Sequence, residues 1–236
     1  MLKDYKKKKN KLISFESLDL NFFDDFTNFL FNRPNPKHPD TVGLKDDTVN
    51  KYISVFKTFL EWAAEREYHE NFAYRKFSSP KTRKHEIVTL TNEEIDELIK
   101  LDLSNESRLE RVRDIFLFAY YTGQRWSDID NFNQNDLKKD SESGEYYWQF
   151  RVVKTKKIIT IPFVGRIKPA IDILQKYNFS LPKITAQKFN DYLKEVGAKA
   201  KLNRRVRIKR YSGSKGIIIE KVLCDFMSSH MARRTC

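Results

Sequence analysis

Between Asp46 and Tyr68 the apolar residues return every three or four positions: Val49, Tyr52, Val55, Phe56, Phe59, Leu60 and Ala63. That period fits one face of a helix and cannot lie flat as a strand, so a long amphipathic helix is the firmest constraint on the fold. Asp46 or Asp47 is placed to cap it. A second helical stripe precedes it, with Leu20, Phe23, Phe26 and Leu30 on one face and Phe22 and Phe29 widening it. The segment "RPNPKHP" between the two carries three prolines and reads as an irregular loop. The face of the long helix opposite its apolar set shows Asn50, Lys51, Ser54 and Lys57. Such a face either meets solvent or contacts a partner.

The stretch "SSPKTRKHE", residues 78–86, is polar, basic and interrupted by Pro80, the composition of a linker. A domain boundary is expected there, giving a helical domain over 1–80 and a second domain over 81–236. The second domain opens on helices. Thr91 and Glu94 form a capping box, and a buried helix runs from about Glu106 to Tyr121 with Leu109, Val112, Ile115, Phe116 and Ala119 inside. Gly123 ends that helix in a left-handed cap. The period then changes to two. "YYWQFRVV" alternates with Trp148, Phe150 and Val152 on one face, and "IITIP" alternates up to Pro162, so "KTKK" tips a β-hairpin with lysines. Two helices over roughly 165–177 and 185–200 follow. A second hairpin turns at Ser212–Gly216, and "SSHMARRTC" starts a Ser-capped helix. The expected class is mainly α with small β-hairpins, an α+β fold.

The chain of 236 residues is 40% apolar, enough for a real core, and carries a formal charge of +13 with pI ≈ 9.5. Solubility does not require so much positive charge, and a polyanion is the natural partner. Residues 1–80 hold only +2 of it and the remainder +11; from Lys199 onward 11 Lys and Arg face two acids, Glu220 and Asp225. Two cysteines, Cys224 and Cys236, without paired spacing imply neither a disulfide framework nor a zinc site. No apolar run approaches the ~18 residues of a membrane span. The basic N-terminus "MLKDYKKKKNK" lacks the apolar core of a signal peptide, so a cytoplasmic location is the default.

Three features bear on chemistry. Arg125 follows the buried helix on a tight turn, Lys154 lies at a hairpin tip, and His230 and Arg233 share a face at a helix start through their i, i+3 spacing. Two guanidiniums, an ammonium and an imidazole, without clustered carboxylates, are poor equipment for a metal and good equipment for a phosphodiester. Each arginine can fork to non-bridging oxygens, and those bonds strengthen as charge builds in a five-coordinate transition state. A lysine can protonate a leaving 5′-hydroxyl, and a histidine can relay a proton. Lys156 and Lys157 share the turn with Lys154, so all three are open to the lysine's role. Asp128 reads as a brace of the site or as a cap of the short helix "SDIDNF", and the two roles are compatible. Arg234 reads as a phosphate or solvent contact, and Trp126 and Trp148 as core.

The stretch "TGQRWSDI" resembles the first arginine box of the tyrosine recombinases, the phage-integrase family: T-G-x-R, then an acid three residues on. "VVKTKKIITIP" resembles that family's lysine-bearing hairpin, and "HMAR" is similar to its H-x-x-R box. The helical first 80 residues look like its SAM-like core-binding domain. The resemblance implies a catalytic domain over 81–236 that clamps a scissile phosphate of double-stranded DNA through Arg125, Lys154, His230 and Arg233, supported by Asp128. Asn50, Lys51, Ser54, Lys57 and Arg234 would be further DNA contacts. It implies chemistry through a 3′-phosphotyrosyl link, with no metal, ATP or other cofactor, and a parent that assembles as a tetramer on two sites. A monomer off DNA and a bacterial or phage origin accompany that reading. The family pattern continues with a second His or Trp and a nucleophilic tyrosine beyond H-x-x-R, and none of the 11 tyrosines follows Arg233. The expectation is therefore a recombinase fragment truncated before its last helices and unable to cleave. The alternative is a DNA-binding module or regulator without chemistry.

Overall fold

A computed structural model describes residues 1–10, 12–34, 43–83, 86–213 and 215–236. Most of the proline-rich loop, from Asn35 on, lies outside the described residues, as do Lys84 and His85 of the linker and Ser214 of the second hairpin turn. The chain divides into two compact units, Met1–Glu86 with Ile208–Ile219, and Ile87–Arg207 with Glu220–Cys236.

The first unit is helical. Four helices, α1 (Leu2–Lys9), α2 (Leu20–Phe31), α3 (Asp46–Ala64) and α4 (Ala73–Lys76), enclose an aromatic core. The Asp19 carboxylate caps α2 by accepting from the Phe22 amide at 2.7 Å. α2 then buries Phe23, Phe26, Phe29 and Leu30, while Leu20 faces outward. No apolar period marks α1, where lysines outnumber apolar residues. Tyr5 anchors it: the ring lies edge-on to Phe22, Phe26 and Phe29, and the hydroxyl donates to Asp25 Oδ2 at 2.9 Å. Burial, and then the Asp25 bond, push that phenol up to about 12, so it remains a donor at neutral pH.

α3 forms where the apolar spacing requires, with a different face inward. Val49, Ile53, Phe56, Leu60 and Ala63 are buried, whereas Tyr52, Val55 and Phe59 are exposed. Two apolar stripes compete on this helix, and the contacts with α2 and α4 cover only one of them. The cap also differs from expectation. Lys45 occupies the N-cap position without a side-chain bond, and Asp46 is the first helical residue.

The second unit is built around α6 (Ser107–Thr122), preceded by α5 (Asn92–Lys100) with the Thr91–Glu94 capping box in place. Nearly every turn of α6 is inside, including Leu109, Val112, Ile115, Phe116, Phe118 and Ala119. Its one deeply buried carboxylate, Asp114, accepts from Lys176 Nζ (2.7 Å), the Tyr177 hydroxyl (2.8 Å) and Arg113 Nε (2.9 Å). Burying a charge costs several kcal/mol unless it is paired, so this network ties the segment around Lys176 and Tyr177 to α6. After α7 (Trp126–Asp130) come three antiparallel strands in sheet order, β1 (Leu137–Lys139), β2 (Tyr146–Arg151) and β3 (Ile158–Pro162). The register sets Trp148 opposite Ile161 and Phe150 opposite Ile159, so the expected inward face is the buried one. β1 was not expected; three residues ending in two lysines are too short to show a period. α8 (Pro169–Lys176) and α9 (Ala186–Lys199) then pack on α6. Strands β4 (Arg205–Ser212) and β5 (Lys215–Val222) form the second hairpin, followed by α10 (Leu223–Phe226) and α11 (Ser229–Thr235). The far end of that hairpin clusters with the first unit, where the Gly213 amide donates to Asp46 Oδ1 at 2.7 Å and the Ser212 hydroxyl to the Leu44 carbonyl at 2.9 Å.

Candidate functional site

The first candidate residue follows the C-terminal end of α6. Gly123 takes φ +64°, a conformation that costs a residue with a Cβ and that glycine adopts freely. The space is also tight: a Cβ there would lie 3.2 Å from Cys236 Sγ, just beyond α11, and that exposed side chain would have to shift by a few tenths of an ångström. Two residues later the chain reaches Arg125, the N-cap residue of α7. Its carbonyl accepts from the amides of Asp128 (2.9 Å) and Ile129 (3.1 Å), which holds the backbone. The side chain is half-buried, yet its guanidinium has no hydrogen bond or ion pair with any described residue.

Asp128 bonds to a neighbouring element and not to its own helix. It is 1% exposed, and its Oδ1 accepts from the Val153 amide at 2.8 Å. It therefore ties α7 to the β2–β3 turn at the residue before Lys154, and no side chain caps α7. Its Oδ2 has no partner among the described residues. Lys154, Lys156 and Lys157 are all exposed on this turn. Lys156 takes φ +58°, and its carbonyl accepts from Arg151 Nη1 at 2.8 Å. Lys154 is the lysine whose backbone neighbour Asp128 anchors. Replacing Asp128 with alanine should leave the Val153 amide unpaired, costing about 1 kcal/mol, and open the turn locally. Hydrogen exchange should show lost protection at Val153 with the β2–β3 ladder intact. Unchanged protection at Val153 would remove the brace.

α11 packs against α6 and α9, burying Met231 and Ala232. His230 is left exposed and Arg233 half-buried, one helical turn apart, and neither has a partner among the described residues. The expected serine cap is absent: Ser228 is the N-cap residue but makes no side-chain bond. Asn190 of α9 supplies it instead, its Oδ1 accepting from the Ser229 amide at 2.9 Å. The other end is held where the Leu90 amide donates to Thr235 Oγ1 at 3.1 Å. Nothing in the local sequence marked Asn190, because its partner is 39 residues away and two serines offered a nearer cap.

The structure thus sets Arg125, Lys154, His230 and Arg233 on elements that pack around α6 or are tied to α7. Arg234 is exposed on α11. In the first unit, Lys51 and Ser54 are open to solvent, whereas Asn50 donates to the Pro80 carbonyl (2.6 Å) and Lys57 to the Phe77 carbonyl (3.0 Å). Half of the polar face expected to meet a ligand is therefore engaged with the chain's own backbone. Among the described residues no group of three or more His, Cys, Asp or Glu could hold a metal ion, and no helix is long and apolar enough to cross a membrane.

Residues 1–80 match the phage integrase SAM-like domain family. A comparison with curated proteins finds no match. Among solved structures, the chain resembles the XerH site-specific recombinase bound to its difH substrate in a pre-cleavage complex, at TM-score 0.60 and 14% identity over 98% of this chain and 63% of that one. It also resembles the XerH post-cleavage complex on palindromic difH (TM-score 0.62, 14% identity, 99% and 62%). A third similar structure is a lambda integrase(75-356) dimer bound to a COC′ core site (TM-score 0.58, 14% identity, 86% and 71%). The chain spans less than two thirds of the XerH length.

Proposed function

Because residues 1–80 belong to the phage integrase SAM-like family and the whole chain shares the fold of the tyrosine recombinases, we propose that it binds duplex DNA as part of a site-specific recombinase and clamps one backbone phosphate for strand exchange. In this reading residues 1–80 grip the duplex, and residues 81–236 carry the chemistry. The observation that carries it is the set Arg125, Lys154, His230 and Arg233. All four are free of internal partners among the described residues, and the backbone beneath them is held by Asp128, Asn190 and Gly123. Leaving three cations and an imidazole unpaired on rigid supports is wasteful in a protein that only folds, and it suits a site that waits for an anion.

In the complete recombinase that this reading implies, a tyrosine hydroxyl attacks the phosphorus and the 5′-oxygen leaves. Arg125 and Arg233 fork to the non-bridging oxygens, which gain charge in the transition state. Lys154 gives its proton to the leaving 5′-oxygen, and His230 moves a proton at the attacking side. Asp128 sets the turn that presents Lys154. The reaction conserves phosphodiester energy in the protein–DNA link and calls for no metal or nucleotide. A tetramer on two sites, a monomer off DNA and a cytoplasmic location in a bacterial or phage-derived setting go with the same reading. A regulator that only bound DNA would need the surface lysines but not this set.

The test is a salt titration on duplex DNA. The logarithm of the binding constant should fall linearly with the logarithm of salt concentration, with a slope near −0.9 per phosphate contacted. A slope near zero would refute the reading.

A further inference from the structure

α1 carries lysines that the fold does not use. Tyr5 and Leu2 turn into the core, Asp4 pairs with Arg33 at 3.0 Å, and Lys9 pairs with Asp25 at 2.8 Å. Lys8 lies over the Phe29 ring, 5.6 Å from its centroid. Lys3, Lys6 and Lys7 remain, exposed and without a partner among the described residues. Their spacing of three and four puts them on one face, where with Asn10 and Leu12 they surround an open concavity of about 300 Å³.

This arrangement works against the helix. Like charges at i, i+3 and i, i+4 destabilise a helix by roughly 0.2–0.5 kcal/mol per pair. The helix dipole favours cations in the last turn, which accounts for Lys6 and Lys7, but Lys3 stands in the first turn, where a cation is disfavoured. The one acid of α1, Asp4, already pairs with Arg33 and the N-terminal amine. A polyanion laid along this face would relieve all of the repulsion at once. A membrane surface is the poorer partner, since the apolar side of α1 is buried in the core and cannot enter a bilayer.

We propose that the Lys3–Lys6–Lys7 face of α1 is a contact for the phosphate backbone of duplex DNA, separate from the polar face of α3 and from the Arg125 site. It rests on the DNA-binding reading given above, and it places part of the grip on a helix that the sequence pattern did not show. The contact is electrostatic and indifferent to base sequence, because three ammonium groups on flexible stems act as point charges.

The test compares the unaltered chain with a K3A/K6A/K7A variant in salt titrations on a duplex. Alanine is the best helix former, so α1 should persist, which circular dichroism checks. The variant should lose about two to three units of slope, and a K3R/K6R/K7R variant should keep the parental slope. If the unaltered chain shows a slope near zero, the DNA-binding reading itself fails. If the unaltered chain has a steep slope that the alanine variant shares, the reading stands and the α1 contact is overturned. An arginine variant that behaves like the alanine one would also overturn it, since the effect would then follow shape and not charge.

Discussion

Trp148→Ala should destabilise the second unit by about 3–5 kcal/mol, the usual range for removing a large buried aromatic. Trp148 is fully buried in β2, stacked on Phe150 at 3.8 Å between ring centroids and packed near Phe132 and Phe118. Its removal would open a cavity under the sheet that three aromatic neighbours cannot fill without leaving their rotamers. The indole Nε1 has no partner among the described residues, so the side chain contributes through its rings and not through a hydrogen bond. Trp148→Phe should therefore cost far less, about 1–2 kcal/mol, because it keeps a ring and removes an unpaired buried donor. Urea unfolding followed by far-UV circular dichroism reads both. A loss below about 1 kcal/mol for Trp148→Ala would mean that the sheet does not rest on this stack.

What the sequence showed of this fold, it showed where the determining partners are close in the chain. The Thr91–Glu94 box closes within one turn, Gly123 follows the helix that it ends, and the alternation of β2 and β3 is visible in a few residues. These same local signals set out Arg125, the lysine turn and the His230–Arg233 pair. What the sequence hid depends on distant partners. The inward face of α3 was decided by which of two stripes α2 and α4 could cover, so Ile53 went in and Tyr52, Val55 and Phe59 stayed out. Asp46 or Asp47 is placed by the sequence to cap α3, but the Asp46 carboxylate accepts from the Gly213 amide, 167 residues on. Asn190 replaced the serine cap of α11 in the same way. α1 leaves no apolar stripe in the sequence because one buried ring, Tyr5, holds a helix whose other residues are mostly charged. Asp128 shows the middle case: its place three residues after Arg125 was legible, while its bond to the Val153 amide needed the fold.

On the proposed function, Arg125 clamps a phosphate in the transition state and does not merely hold DNA. Arg125→Lys keeps the charge and removes the planar fork, so one of two parallel bonds to the phosphate is lost. Loss of a single preorganised donor commonly costs about 10²–10³ in rate, so the chemical step should slow by on the order of a hundredfold or more. Affinity should barely change, because many other cations share the phosphate contacts. Arg233→Lys should behave alike. Lys51→Ala should do the reverse, weakening binding while the bound complex reacts at nearly the parental rate. The deciding measurement is single-turnover strand cleavage at saturating protein, made in a form of the recombinase competent to cleave, with affinity measured separately. An Arg125→Lys protein should bind normally and cleave at least about a hundredfold more slowly. An Arg125→Lys protein that binds weakly but cleaves at the parental rate once bound would contradict it.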